Sequence, residues 1–476
     1  MRLSSDTIAL YTHAEILVAA ADPTREAISI TWDSREVTED SVYVAFPGER
    51  VDGHDFISES LRKGAQVILA MTKPDESVCN LAKELGAAIL LVPSTKEAFT
   101  QLASQWRNHL SAKVIVLTGS TGKTTTKNLV RDVLSTTYKT VATRGNQNNE
   151  LGVPKTLLDA TEETEFLVVE MGMRGKGQLK SLCDFVKPDY ALITNVGECH
   201  IELLGSKENI AQAKAEVLDA LRPNEGIAVV NGADEYTSYM VEHTCCDKRG
   251  ITLAYYDGSG EMKDAVAYAE NTSLDTQGCP SFSLCVAGEK SECTLSLRGM
   301  HNVHNACAAA ALGSVCGVSL DCIVKGLQSS LPEVGRQEVL VNENGVTIIN
   351  DAYNANPDSM KASLTMFDSM KVDRKRYAVL GDMGELGSFA QGCHEGIGTF
   401  VAQLGSIDYL ICIGSLSANI ASAAIKAGFP ESAVMVTKER SVALTELLHR
   451  LEEGDAVLVK ASHSMELEKI VKGLMI

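Results

Sequence analysis

Residues 117–126 read LTGSTGKTTT, a glycine-punctuated turn ending in Gly122-Lys123-Thr124. These residue types suit a phosphate anion. Gly119 and Gly122 let backbone N–H groups approach it, Lys123 adds a mobile positive charge, and Thr124 offers a hydroxyl to Mg²⁺. Ser120, Thr121 and Thr125 fill the remaining loop positions. The spacing departs from the usual G-x-x-x-x-G-K-[ST] loop, because Leu117 stands where the first glycine is expected. A plain glycine turn opening a helix is the alternative. Against it, KVIVL from Lys113 to Leu117 is the apolar β-branched run of a buried parallel strand, and Lys123 to Leu134 has helical character.

A phosphate loop with a metal needs a carboxylate at a neighbouring strand end, and FLVVE places Glu170 at such an end. A solvated strand-end carboxylate is the competing account. The strand YALITN leads into VGECHIELLGS, which brings Asn195 and His200 toward the same carboxyl edge of the sheet, where open α/β sheets bind ligands. A histidine alone in a loop is commonly just exposed, so His200 gains interest only in the company of Glu170. In NIAQAKAEVLDAL, Lys214 shares a helix face with Ile210, Ala211, Val217 and Leu218. Such a lysine either snorkels from a helix edge or, neutralised by burial, reacts with CO₂ to give a metal-binding carbamate.

The elements that must carry these residues are α/β in pattern. Residues 1–92 alternate short strands (ISITW, SVYVAF, AQVILA, AAILLV) with helices, and Ser94 to Leu110 is a linking helix. Beyond the loop come FLVVE, YALITN and IAVVN, a more β-like insert at about 250–298 and an alanine-rich helix at 303–313. The last segment, VTIIND, YAVLGDM, YLICIG, AVMV and AVLVKAS with helices between, predicts a doubly wound sheet. Its Gly381, Gly384 and Gly387 are spaced G-x-x-G-x-x-G, so the dinucleotide fingerprint is absent. With 476 residues, three domains are expected: 1–92, 93–330 and 331–476.

A formal charge of −19 argues against a nucleic-acid surface, and the thirteen cysteines include no CxxC pair that would suggest zinc or a disulfide framework. No run of about 18 apolar residues or cleavable leader is evident, so a cytoplasmic chain without membrane insertion is expected.

Eight segments, TGSTGKTTTKNL, NQNNELGVPKTLL, EMGMRGKGQL, TNVGECHIELLGS, IAQAKAE, RGMHNVHNACAAAA, NDAYNANPDSMKASL and VLGDMGELG, occur in an order that resembles the Mur ligases of peptidoglycan synthesis. The resemblance spans about residues 33–470 and is strongest to the branch that adds D-alanyl-D-alanine. That family's loop is G-x-x-G-K-[ST], which accounts for Leu117. The resemblance implies a small N-terminal α/β UDP-binding domain, a central P-loop ATPase-like parallel-sheet domain and a C-terminal Rossmann-like domain. It implies an ATP-dependent amide ligase joining D-Ala-D-Ala to UDP-N-acetylmuramoyl-tripeptide through an acyl phosphate, with ATP and two Mg²⁺ ions. A monomer is expected.

Residue by residue, the resemblance implies that Lys123 and the loop amides hold the phosphates, with Thr124 and Glu170 on one Mg²⁺, and His200 and a carbamylated Lys214 on the other. Asn302 and Asn305 lie near the adenine, Asp351 near the ribose and Arg336 near the phosphates. Asn148, Asn149, Tyr353, Asn354 and Asn356 line the peptide site, although Asn-rich stretches are also ordinary turns. The segment WDSREVTEDSVYVAFPGERVDGHDF resembles the UDP-binding domain, with Ser34, Arg35 and His54 as uridine or diphosphate contacts. One departure stands out. The family's terminal K-G-S-R is here Lys460-Ala461-Ser462-His463, which exchanges a guanidinium for an imidazole. The third-residue-adding Mur ligases, the folylpolyglutamate synthetases and a catalytically silent UDP-sugar or ATP-binding protein are the rival readings.

Overall fold

The computed structural model describes residues 1–48 and 51–476, so Glu49 and Arg50 of the UDP-type segment lie outside the described residues. The chain divides into two compact units. The first comprises Met1–Val116, Tyr138–Gly172 and Lys180–Tyr190, and the second Leu117–Thr137, Met173–Leu179 and Ala191–Ile476.

In the first unit the strands Ser29–Thr31, Ser41–Val44, Ala65–Ala70 and Ala88–Leu91 run parallel, because helices rather than hairpins return the chain between the last three. Val42, Tyr43, Val67, Ile68, Ile89 and Leu90 are fully buried, as expected of strands covered on both faces. Glu15–Val18 closes the sheet antiparallel to Ala88–Leu91. The helix Thr95–His109 begins where Ser94 Oγ accepts a hydrogen bond from Glu97 N, the sequence signature of an N-cap. In the same unit Phe166–Glu170 pairs in parallel with Thr140–Ala142, ending with Glu170 at the carboxyl edge.

In the second unit the glycine loop opens the helix Lys123–Ser135, which packs on His301–Val315, the alanine-rich helix expected from sequence. Small side chains on that helix permit the close approach. Ile227–Asn231, Thr252–Asp257 and Ala267–Leu274 pair in parallel, whereas Pro280–Val286 and Glu289–Thr294 continue antiparallel, forming the β-like insert. The C-terminal sheet has the order Glu338–Val341, Thr347–Asn350, Ala456–Lys460, Arg376–Gly381, Tyr409–Ile413, Val434–Thr437. All neighbours are parallel except the first pair. The final strand is thus inserted between the second and third, which brings Lys460 beside Asp351 at the carboxyl edge.

Candidate active site

The glycine loop is held from behind by the residues that follow the strand Tyr190–Ile193. Asn195 Oδ1 accepts from Thr121 N at 2.9 Å, its Nδ2 donates to Thr121 Oγ1 at 2.9 Å, and its carbonyl accepts from Ser120 N at 3.0 Å. Thr194 Oγ1 donates to Thr121 O at 2.7 Å, and Gly197 N donates to Ser120 Oγ at 2.8 Å. The loop is thereby fixed in shape before any anion arrives. Both glycines are needed: a Cβ on Gly119 would lie 1.8 Å from Thr194 Oγ1, and one on Gly122, at φ 75°, would lie 2.6 Å from Asn305 Oδ1. Lys123 Nζ folds back to donate to Gly119 O at 2.8 Å, and Thr124 is buried in the first helical turn. A 13-residue helix thus begins at a glycine loop with a lysine and a threonine in its first turn, which is anion-binding geometry.

Asn302 and Asn305 flank the loop on the neighbouring helix. Asn305 Oδ1 accepts from Thr126 Oγ1 at 3.1 Å and its Nδ2 donates to Asn302 Oδ1 at 2.9 Å, while Asn302 Nδ2 donates to Arg298 O at 2.6 Å. These amides form one fixed polar chain.

Lys214 lies on the helix Lys207–Asp219 and is 2 % exposed, so it does not snorkel. Burial first, and the charge of Lys123 second, push its ammonium down to about 7, against a pull upward from Cys199 and Asp234. Cys199 is itself lowered to about 7: burial raises it, but the hydrogen bond with His200 and the charges of Lys123, His200 and Lys214 outweigh that. Asp234, raised mainly by burial, accepts from Val196 N at 2.7 Å and Tyr236 N at 2.9 Å. Lys123, His200 and Lys214 therefore all act on Cys199, and Lys123 acts on Lys214 as well. Sequence reasoning missed Cys199 and Asp234, which carry no motif of their own.

Among the described residues no three His, Cys, Asp or Glu side chains gather into a preformed metal cage. Mg²⁺ does not require one, since it is commonly held by one or two carboxylates together with substrate phosphates. The donor chemistry fits that arrangement. A near-neutral amine in a positive, buried cluster can become a carbamate, which would add oxygen ligands and remove a positive charge.

In the first unit Glu170 is fully buried. Its backbone N donates to Thr143 Oγ1 at 3.0 Å, and its Oε1 accepts from Asn148 Nδ2 at 2.8 Å. The solvated strand-end account therefore fails. Asn149 Oδ1 accepts from Leu151 N and Gly152 N at 3.1 and 2.9 Å, the ordinary turn role its sequence also allowed. Ser34 O accepts from Lys63 Nζ at 2.9 Å, and the exposed Arg35 pairs with Asp33 at 2.5 Å. His54 is occupied at both nitrogens, by Asp52 Oδ1 at 2.7 Å and by Met71 N, which donates to Nε2 at 2.9 Å.

At the C-terminal sheet edge Asp351 Oδ2 accepts from Lys460 Nζ at 2.7 Å and from Ser363 Oγ, and its Oδ1 accepts from Gln337 N at 3.2 Å. Lys460 also donates to Asn354 O at 2.9 Å. Asn356 serves as N-cap of Pro357–Ser369, accepting from Ser359 N at 2.8 Å, whereas Asn354 is exposed. Arg336 lies 4.1 Å over the Tyr353 ring, and Tyr353 lies 5.8 Å from the His463 ring. The imidazole that replaces the usual arginine thus lies, tilted by 36°, against the ring that Arg336 covers. The Lys460–Asp351 pair is nearly dry, with side chains 3 and 10 % exposed. Removing one partner strands the other charge, so Lys460→Ala should lower the opening free energy of this sheet by about 3–5 kcal/mol. Native-state hydrogen exchange of Ala456–Lys460 measures it; protection within 1 kcal/mol of wild type would contradict the assignment.

Comparison with known proteins adds the following. The model of the Mur ligase middle domain matches residues 117–313, that of the Mur ligase glutamate ligase domain residues 335–463, and that of the Mur ligase catalytic domain residues 27–107. The UDP-N-acetylmuramoyl-tripeptide–D-alanyl-D-alanine ligase of Bacillus subtilis is 36% identical over 447 residues, covering 94% of this chain and 93% of its own. A crystal structure of MurF from Acinetobacter baumannii superimposes with a TM-score of 0.83 at 30% identity, covering 100% of this chain and 99% of its own. The MurF ligase of Thermotoga maritima in complex with ADP gives a TM-score of 0.75 at 27% identity, over 94% of this chain and 97% of its own.

Proposed function

This chain belongs to the Mur ligase family, and we propose that it joins D-alanyl-D-alanine to UDP-N-acetylmuramoyl-tripeptide with ATP, in the cytoplasm and as a monomer. The observation that carries this reading is the gathering of Lys123 of the glycine loop, His200 and the fully buried Lys214 around Cys199. Segments 1–92, 93–330 and 331–476 are assigned to the UDP-sugar, ATP and ligase roles respectively.

The terminal carboxylate of the tripeptide attacks the γ-phosphorus of ATP, ADP leaves with the bond's electron pair, and an acyl phosphate results. The neutral amine of D-Ala-D-Ala then attacks the acyl carbon, expelling phosphate and losing a proton as the amide forms. There is little covalent work for the protein, so positioning and electrostatics supply the catalysis. The loop N–H groups fix the phosphates, and Lys123, released from Gly119 O, places its charge on the transferring phosphoryl oxygens. Thr124, Glu170, His200 and a carbamylated Lys214 are the residues assigned to hold the metal. When bound, Mg²⁺ compensates the charge gathered on the phosphates. Asn302, Asn305, Arg336 and Asp351 are assigned to the nucleotide, and Asn148, Asn149, Tyr353, Asn354 and Asn356 to the peptide.

The segment DAYNANP contains no arginine that a diamino-acid carboxylate would need, and its short amides and Tyr353 suit a compact dipeptide. The protein incubated with ATP, Mg²⁺, UDP-muramoyl-tripeptide and D-Ala-D-Ala should therefore yield the pentapeptide by mass. L-lysine or meso-diaminopimelate offered with the UDP-muramoyl-dipeptide should not react. Efficient transfer of either diamino acid would move the chain to the third-residue-adding branch.

A further inference from the structure

The turn after Arg376–Gly381 is anchored to its own sheet, since Gly384 N donates to Ser462 Oγ at 2.7 Å and Met383 N donates to His394 Nε2 at 3.0 Å. From that anchored base it reaches toward the segment that holds the glycine loop. Glu202 N donates to Glu385 O at 3.5 Å, and a Cβ on Gly387 would lie 2.6 Å from Glu202 Cγ. The tip of the turn carries Glu385. Its Oε2 stands 2.5 Å from His200 Nδ1, and its Oε1 stands 3.4 Å from Arg174 Nε. Both His200 and Glu385 have a backbone φ of 61°, in the left-handed region that residues with a Cβ seldom occupy. Two such residues facing each other across one contact mark a place where the surroundings hold the chain in an unfavoured state, as functional sites do.

The geometry points to Glu385 as the positioning carboxylate of His200, supplied by the C-terminal segment and clamped in place by Arg174. A neutral imidazole has one N–H and one lone pair, and a carboxylate beside Nδ1 favours the proton there and the lone pair on Nε2, on a ring that the Cys199 thiol also hydrogen-bonds. The contact falls short of hydrogen-bond geometry at Nδ1, as apo contacts of this kind often do before the site is filled. Glu385 lies on VLGDMGELG, far from the loop in sequence, so the ring of His200 takes its positioning carboxylate from a segment nearly 190 residues further along the chain. This inference rests on the reading of His200 as a metal-facing residue.

The test uses the full chain with Mn²⁺ as the probe, in bicarbonate buffer, and reads the free ion by electron paramagnetic resonance. Glu385→Ala should weaken Mn²⁺ binding about 10- to 100-fold, the usual effect of losing a carboxylate behind a ligating histidine. Glu385→Gln, which keeps the size and one acceptor oxygen, should weaken it less. In a His200→Ala background Glu385→Ala should cost nothing further, because its effect passes through that imidazole. A Glu385→Ala protein with wild-type Mn²⁺ affinity, alongside a weakened His200→Ala protein, overturns this inference alone. An equal loss in both backgrounds also overturns it, since a merely structural role would behave that way. Full affinity in His200→Ala instead removes the metal-facing reading of His200, and this inference with it. The Glu385 side chain is 41% exposed, so neither substitution leaves a buried void.

Discussion

Lys123→Ala should abolish most product formation while leaving the protein folded. The Lys123 amine donates to Gly119 O at 2.8 Å and to Ser120 O at 3.5 Å, contacts within its own loop that a surface-type substitution removes at little cost in stability. The loop's shape does not depend on it, because Thr194, Asn195 and Gly197 hold Ser120 and Thr121 from the other side. What is lost is a positive charge at the transferring phosphoryl group, and removing one such preorganised partner costs about 10²- to 10³-fold in turnover. Release of ADP and the mass of the amide product give the measurement, with circular dichroism as the check on folding. Near-wild-type turnover from a folded Lys123→Ala protein would falsify the phosphate-loop assignment.

The strands that carry this loop were legible in the sequence because they are buried on both faces. KVIVL, FLVVE, IAVVN and AVLVK read as unbroken apolar runs, and each is a strand in the structure. The edge strands were not legible. Glu15–Val18 and Glu338–Val341 each pair antiparallel at a sheet margin, are short and partly exposed, and so lack both the run and a clean alternation.

The site divides along the same physical line. Gly119, Gly122, Lys123 and Thr124 announce themselves because phosphate binding demands their order. Lys214 stood out as a charge on an apolar stripe, but periodicity left its burial open; the structure decides it through the helix packing around it. Asn149 and Asn356 show the limit of composition. The same side chains that suit a peptide site also make a turn and a helix cap, and in the structure their Oδ1 atoms hold that turn and that cap, which leaves the peptide role to the proposal. Glu385 stood in a segment that carried the resemblance but no role of its own, and Asp234 had no local signal, since the meaning of both comes from residues brought to them by the fold.

Lys214→Ala should be nearly inactive and should regain part of its activity when short carboxylic acids are added. The lysine is fully buried, and burial first and the charge of Lys123 second bring its ammonium from the ordinary 10.5 down to about 7. A neutral amine there can add CO₂, and the carbamate would supply oxygen donors facing the metal; an acetate or formate entering the vacated space supplies the same kind of oxygen. Full activity in Lys214→Ala, or inactivity that no carboxylate relieves, would count against the carbamate. The lysine also leaves a mark on stability that needs no substrate. In CO₂-free buffer the unfolded chain keeps this proton up to pH 10.5, whereas the folded chain releases it above about 7. Between those values the unfolded state binds more protons, so stability rises with pH; below about 7 both states are protonated and the burial penalty is at its full, constant size. Lys214→Met, which keeps an apolar stem in the same space, removes that penalty. Urea titrations of the two proteins from pH 7 to 10 should therefore show a rise for the native chain that is flattened in Lys214→Met, and equal slopes would show that this buried amine keeps its proton in the folded state.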